Sequence, residues 1–270
     1  MDKKKIAIIG CGVIGSTLAR EADKNFKDFI GKIFLWDIDA DKAKVLSGEL
    51  STARIVKNLE EAVDSADLVI EAATPKVVGE LMKEAVNAGK DMMIMSIGGV
   101  LGQEALLNEA REKGIRVMLP SGAICGIDGI KAAKTAGIKS VTLTTRKAPR
   151  SIKGAPYLEE KSIDVDKISG KTVVFEGPAR EAVKAFPKNV NVSAILSLAG
   201  VGAEKTTVKI VVSPEYTKNI HEIEVVGNAG TINVKVENVP SPNNPKTSYL
   251  AALSAIATLK EYFNTIRIGT

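Results

Sequence analysis

Two features of this 270-residue sequence could do chemistry. The first is Gly10-Cys11-Gly12-Val13-Ile14-Gly15, a G-x-G-x-x-G run between an apolar stretch at 5–9 and a helical pattern at 13–24. In that context each glycine has its own role. Gly10 makes the tight turn, Gly12 lets a pyrophosphate reach the backbone, and Gly15 lets the helix pack closely on the sheet. Val13 and Ile14 open the helix, whose free N–H groups and partial positive charge would face the phosphates. Asp37 follows Gly15 by 22 residues, at the end of the next strand pattern, where a carboxylate can bind ribose hydroxyls. Asp39 competes for that role, and Asp37 is preferred because it is closer to the strand end. These residues predict a dinucleotide site for NAD or NADP. The acid favours NAD, although Lys42 and Lys44 could tolerate an extra phosphate. The plainer alternative is a glycine turn with Asp37 capping a helix.

The second feature is His221, the single histidine. In a strand pattern at 220–226 it shares a face with Ile223 and Val225, while Glu222 and Glu224 point the other way. It could line a cleft as a general base near neutral pH, or it could be a satisfied core histidine at a strand end. Cys125 opens a rival reading, a thiolate nucleophile of a semialdehyde dehydrogenase. Its small, apolar neighbours and the lack of a nearby basic residue favour a buried, inert thiol. One histidine and two widely separated cysteines give no metal-ligand spacing, so no metal site is expected.

The elements that must position these groups fall into two textures. Up to residue 120, strand patterns at 5–9, 32–36, 54–56, 68–72, 91–95 and 116–119 alternate with helical patterns at 13–24, 40–46, 59–63, 75–88 and 103–112. Near-continuous apolar strands in β-α repeats predict a Rossmann-type, doubly wound parallel sheet covered on both faces. After Pro120 the pattern changes. Residues 140–145 alternate Val141, Leu143 and Thr145 against polar neighbours. Further strands are expected at 172–175, 208–212, 220–226 and 231–236, with a hairpin at Gly227-Asn228-Ala229-Gly230. Helices are expected at 181–186 and 192–199. The second half therefore reads as an α+β domain, 121–245, with a mixed or antiparallel sheet, and it is the catalytic half if His221 acts. Residues 246–263 carry a strong amphipathic pattern, with Asn244 as its cap and Pro245 at its first position. The segment 246–270 is expected to return and pack on the first domain, 1–120.

Composition narrows the setting. The net charge of +5 is mild and dispersed, and Lys3-Lys4-Lys5 and Arg146-Lys147 read as solvated surface rather than nucleic-acid contacts. The basic start followed by an apolar run imitates a signal peptide, but glycines and Arg20, Glu21 and Asp23 interrupt it. No apolar stretch reaches the roughly 20 residues needed to span a bilayer. A cytoplasmic protein is expected.

Three segments are more specific than the glycine fingerprint: Phe186-Pro187-Lys188-Asn189-Val190-Asn191-Val192, Asn219-Ile220-His221-Glu222-Ile223, and 238–248, which reads Asn-Val-Pro-Ser-Pro-Asn-Asn-Pro-Lys-Thr-Ser. With the fingerprint and Ser121–Gly126 in their expected order, essentially the whole chain resembles the L-aspartate dehydrogenase family. The resemblance implies NAD(P)-dependent oxidation of L-aspartate to iminosuccinate, which hydrolyses to oxaloacetate and ammonia and feeds NAD biosynthesis. It also implies a catalytic role for His221, cofactor contacts at Ala123 and Asn189, and a homodimer. From the residues alone Asn189 reads as a turn or cap residue. A homoserine-type oxidoreductase and a non-catalytic NAD-binding sensor remain open alternatives. The helix starts expected at 189–192 and 244–246 are candidate partners for the substrate carboxylates, and no particular Lys or Arg is singled out.

Overall fold

The N-terminal apolar run forms strand β1 (Lys4–Ile9), in which Ile6, Ala7, Ile8 and Ile9 are fully buried. In the computed structural model, which describes residues 2–187, 191–242 and 244–269, the chain continues as a regular β-α alternation. The elements are α1 (Val13–Asn25), β2 (Ile30–Trp36), α2 (Ala40–Glu49), β3 (Ala53–Ile55), α3 (Leu59–Ser65), β4 (Leu68–Glu71), α4 (Pro75–Asn87), β5 (Asp91–Ile94), α5 (Glu104–Glu112) and β6 (Val117–Met118). Local chemistry sets several boundaries. The Asn58 side chain accepts from the Glu61 N–H to cap α3, and Pro75 opens α4 where its missing N–H costs nothing. The strands form one parallel sheet in the order β3-β2-β1-β4-β5-β6. Strand order reverses between β1 and β4, so their C-terminal ends flank a crevice of the kind that receives ligands in doubly wound sheets.

Beyond Pro120 come α6 (Ile127–Ala136), β7 (Ile138–Lys147), α7 (Pro156–Glu160), β8 (Thr172–Pro178), α8 (Ala179–Ala185), α9 (Asn191–Ala199), β9 (Thr206–Val212), β10 (Asn219–Gly227) and β11 (Gly230–Asn238). These strands form a mixed sheet in the order β11-β10-β7-β9-β8, with β7 and β9 parallel and the other pairs antiparallel. β10 and β11 make a hairpin that closes on the Gly227–Gly230 pair. α6, α8 and α9 pack on this sheet. The covered face is built from alternate residues, including Val141, Leu143, Val208, Ile210, Ile223 and Val225, all buried.

The C-terminal stretch departs from the sequence expectation. Asn244 and Pro245 do not start a helix. They belong to β13 (Asn244–Ser248), which pairs with β12 (Pro240–Ser241), and the last helix, α10, spans Tyr249–Phe263. The reason is steric: a residue before proline is pushed toward extended backbone, and strand pairing then carries the chain to Ser248. The Tyr249 N–H, bonded to the Val239 carbonyl at 3.0 Å, marks the change to helix. The helix start expected at 244–246 is therefore not available to the substrate carboxylates.

The chain divides into two compact units, Met1–Pro120 with Ala252–Ile266, and Ser121–Ala251 with Arg267–Thr270. Most of α10 thus belongs to the first. Its Ala255 and Leu259, fully buried, join Leu18, Phe26 and Leu46 in one apolar cluster. Phe263 stacks on Phe29 at 5.4 Å, and the Tyr262 hydroxyl donates to Asp91 at 2.9 Å. Among the described residues, no helix is long and apolar enough to cross a membrane.

Candidate active site

The glycine run joins β1 to α1 at the crevice, and the backbone there leaves almost no room. Gly10 has φ +99°, and a Cβ on it would come within 2.6 Å of the Ala72 carbonyl oxygen. A Cβ on Gly15 would run into the Gly10 carbonyl. Gly12 is the opposite case, with no atom within 4 Å of where its Cβ would be. It precedes α1 without a side-chain cap, and the first turn of the helix holds no acid. Val13 and Ile14, both half-buried, open that turn. The N-terminal N–H groups of α1 therefore meet open space beside a backbone that a phosphate can approach closely.

Asp37 lies next to this loop. Its carboxylate accepts from the Cys11 N–H at 2.6 Å and the Asp39 N–H at 2.8 Å. Asp39 is exposed and pairs with Lys42 at 3.2 Å. Burial, followed by the Asp37 charge, pushes the Cys11 thiol up to about 12, which makes it an inert packing group. The geometry fits a dinucleotide, with open glycine backbone for the pyrophosphate and an anchored carboxylate for the ribose.

A further acid appears in a strand that the sequence marks only as apolar. Glu71, fully buried at the end of β4, accepts from the Ala73 N–H and the Ser96 N–H, each at 2.8 Å. It ties the loops after β4 and β5 together at the same sheet edge. Burial raises its carboxyl above the usual range, and the hydrogen bonds from Ser96, Ala73 and Met95 oppose that shift.

In the second unit His221 is buried, on one face of β10 with Ile223 and Val225. Its register partner on β7 is Thr145, whose Oγ1 lies 3.0 Å from His221 Nδ1. Burial first, and then the nearby Lys147 charge, push the imidazole down to about 3, so it is neutral at physiological pH. Its neighbour Glu222 faces the other way and binds Arg146 at 2.7 Å. Ala123, also buried, offers its carbonyl to Asn238 Nδ2 at 3.0 Å. Asn238 is two residues beyond Val236, the partner of His221 on β11. Ala123 and His221 are thereby drawn to the same end of the second sheet. Asn189 lies outside the described residues.

Two expectations need correction. Lys147 is not solvated surface but only 4% exposed, because the alternation of Val141, Leu143 and Thr145 continues to it along β7. Extending that period by one step would have found it. Cys125 is exposed rather than buried. Thr145 and Asn238 gave no signal of their own, since their partners are distant in sequence. Among the described residues, no group of three or more His, Cys, Asp or Glu could hold a metal ion.

Known proteins resemble this chain in both halves. Residues 10–120 match the family model described as homoserine dehydrogenase, NAD binding domain, and residues 128–262 match aspartate dehydrogenase, C-terminal. The L-aspartate dehydrogenase of Methanosarcina mazei is 47% identical over 98% of this chain and 99% of its own. The chain belongs to the L-aspartate dehydrogenase family. A second family member, from Nitrosopumilus maritimus, is 42% identical over 99% of this chain and 100% of its own. The crystal structure of aspartate dehydrogenase from Thermotoga maritima superposes with a TM-score of 0.79 at 28% identity, covering 99% of this chain and 100% of that one.

The two kinds of glycine can be told apart experimentally. Gly12→Val should leave the melting temperature nearly unchanged but weaken dinucleotide binding at least tenfold, because the side chain fills open space only. Gly15→Val should destabilise the fold itself, by several kcal/mol, through its backbone clash. Thermal melts with NADH titration separate the two; equal melting losses would refute the assignment. A second prediction concerns acid. His221 titrates at about 3 when folded and roughly 6.5 when unfolded, so the unfolded chain takes up the proton first. Stability should fall as pH drops through that window. Replacing His221 with Gln should flatten this part of the profile, as read from urea midpoints at pH 7 and pH 4.

Proposed function

We propose that this chain catalyses the NAD(P)-dependent oxidative deamination of L-aspartate to iminosuccinate, which hydrolyses to oxaloacetate and ammonia. The observation that carries the reading is a neutral, buried His221 held at Nδ1 by Thr145, at the polar end of an otherwise apolar sheet face, in a chain of this family. In the tautomer whose Nδ1–H donates to Thr145 Oγ1, Nε2 is the nitrogen left to take a proton from the water that attacks the imine. Bound NAD(P)+ supplies the hydride acceptor. Gly10, Gly12, Gly15, Val13 and Ile14 shape its phosphate seat, and Asp37 its ribose contact. A carboxylate already fixed by two backbone N–H groups would repel a ribose phosphate, which supports NAD as the preferred cofactor. Ala123 contributes small size beside the cofactor, in a loop that Asn238 holds in place.

We place the reaction at the start of NAD biosynthesis, with iminosuccinate as the feed to quinolinate. A cytoplasmic setting suits the two free cysteines. A homodimer is also proposed, through the face of the second sheet opposite α6, α8 and α9. That face carries Val173, 56% exposed, among charges of both signs such as the Lys209–Glu176 and Arg146–Glu222 pairs, a mixture that can complement its own copy. Equilibrium sedimentation at micromolar concentration should give twice the chain mass; the mass of one chain would refute it.

The deciding assay is NAD+ reduction with L-aspartate, with L-glutamate and L-homoserine as controls. Turnover with aspartate alone supports the proposal, and turnover with homoserine would favour the homoserine-type alternative. Cofactor binding without any turnover would favour a sensor. His221→Ala should lower kcat by about 100-fold or more while NADH affinity stays within threefold. Equal losses in both would remove the histidine from catalysis.

A further inference from the structure

Polar groups on the covered face of the second sheet are confined to one end. Thr145, His221 and Val236 form a row across β7, β10 and β11. Lys147 lies two residues past Thr145, and Asn238 two past Val236, so both fall on the same face one row further out. Strand spacing puts their Cα atoms roughly 10 Å apart, with β10 between them. Deeper along the face the neighbours are Leu143, Ile210 and Ile223. Ser193 of α9 shares a small cavity wall with Lys147 and Thr145.

Two observations at this end point to a ligand. Lys147 is the one cationic side chain that is buried among the described residues, on the same face as Thr145 and His221. Asn238 Oδ1 is buried with no hydrogen-bond partner among the described residues, although its Nδ2 is bonded to Ala123. An unfilled acceptor of that kind calls for an N–H from elsewhere. A cation and an open acceptor on either side of a neutral histidine match the two kinds of group on an amino acid, carboxylate and amine.

We propose that Lys147 is the carboxylate anchor of the substrate, binding one carboxylate of a dicarboxylic amino acid beside His221. The inference rests on the dehydrogenase reading above and names the cation that the reading lacks. Burial pushes Lys147 down to about 8, so it still carries its proton near neutral pH. A carboxylate at Lys147 would also offset the charge that helps hold His221 down, so the imidazole becomes a better base when substrate arrives.

The test uses the full chain with Lys147→Met and Lys147→Gln. Succinate, a dicarboxylate without the amine, serves as the probe, by calorimetry in the presence of NADH and by inhibition of aspartate turnover. Both variants should weaken succinate and raise KM for L-aspartate by about 30-fold or more. NADH affinity should stay within threefold. If the Met variant does not fold, the Gln variant is read in the same way. Unchanged succinate binding would overturn the proposal. So would a parallel loss of NADH, which would assign Lys147 to the dinucleotide phosphates. Succinate binding is independent of turnover: a parent protein that binds succinate through Lys147 but does not oxidise aspartate would sink the dehydrogenase reading and leave the anchor standing.

Discussion

The close approach of three backbone segments at the centre of the first sheet constrains everything built around it. Gly10, Gly15 and the Ala72 carbonyl meet where a Cβ on either glycine would collide with main chain. Because α1 can come that near to β1, its N-terminus opens beside the crevice between β1 and β4 rather than standing off from it. Asp37 and Glu71 then fix the flanking loops by accepting backbone N–H groups. Both carboxylates hold peptide groups that would otherwise be unpaired at the sheet edge. The dinucleotide site is thus a direct consequence of how tightly this helix and strand pack.

The second sheet follows a different rule. Strict alternation along β7 and β10 builds an apolar face, and the same period carries Thr145, Lys147 and His221 onto it at one end. Burial there sets the chemistry. It keeps the imidazole neutral, and it makes the lysine charge strong because little water screens it. The same residues on the opposite face, where Arg146 and Glu222 pair, would have ordinary properties.

Much of this is legible from residue order. The glycine turn, the β-α alternation to Pro120 and the hairpin at Gly227–Gly230 are local patterns with steric causes, and the structure shows each of them. The start of α10 is not, because capping and proline signals at 244–245 also suit an extended ribbon, and pairing with β12 decides between them. Lys147 escapes because two adjacent basic residues look like surface until the strand period is followed past Thr145. Glu71 is hidden in an apolar strand.

Sequence by itself determined the two fold textures, the glycine turn after β1, the family and the one histidine that could act. Those depend on spacing over a few residues, on steric rules for glycine and proline, or on specific segments. Only the tertiary structure decided which polar groups meet. Thr145 and His221 are 76 residues apart in the chain, and Ala123 and Asn238 are 115 apart. Burial, hydrogen-bond partners and shifted proton affinities come from such distant encounters. No local pattern encodes them, because each depends on which strand the fold lays beside which.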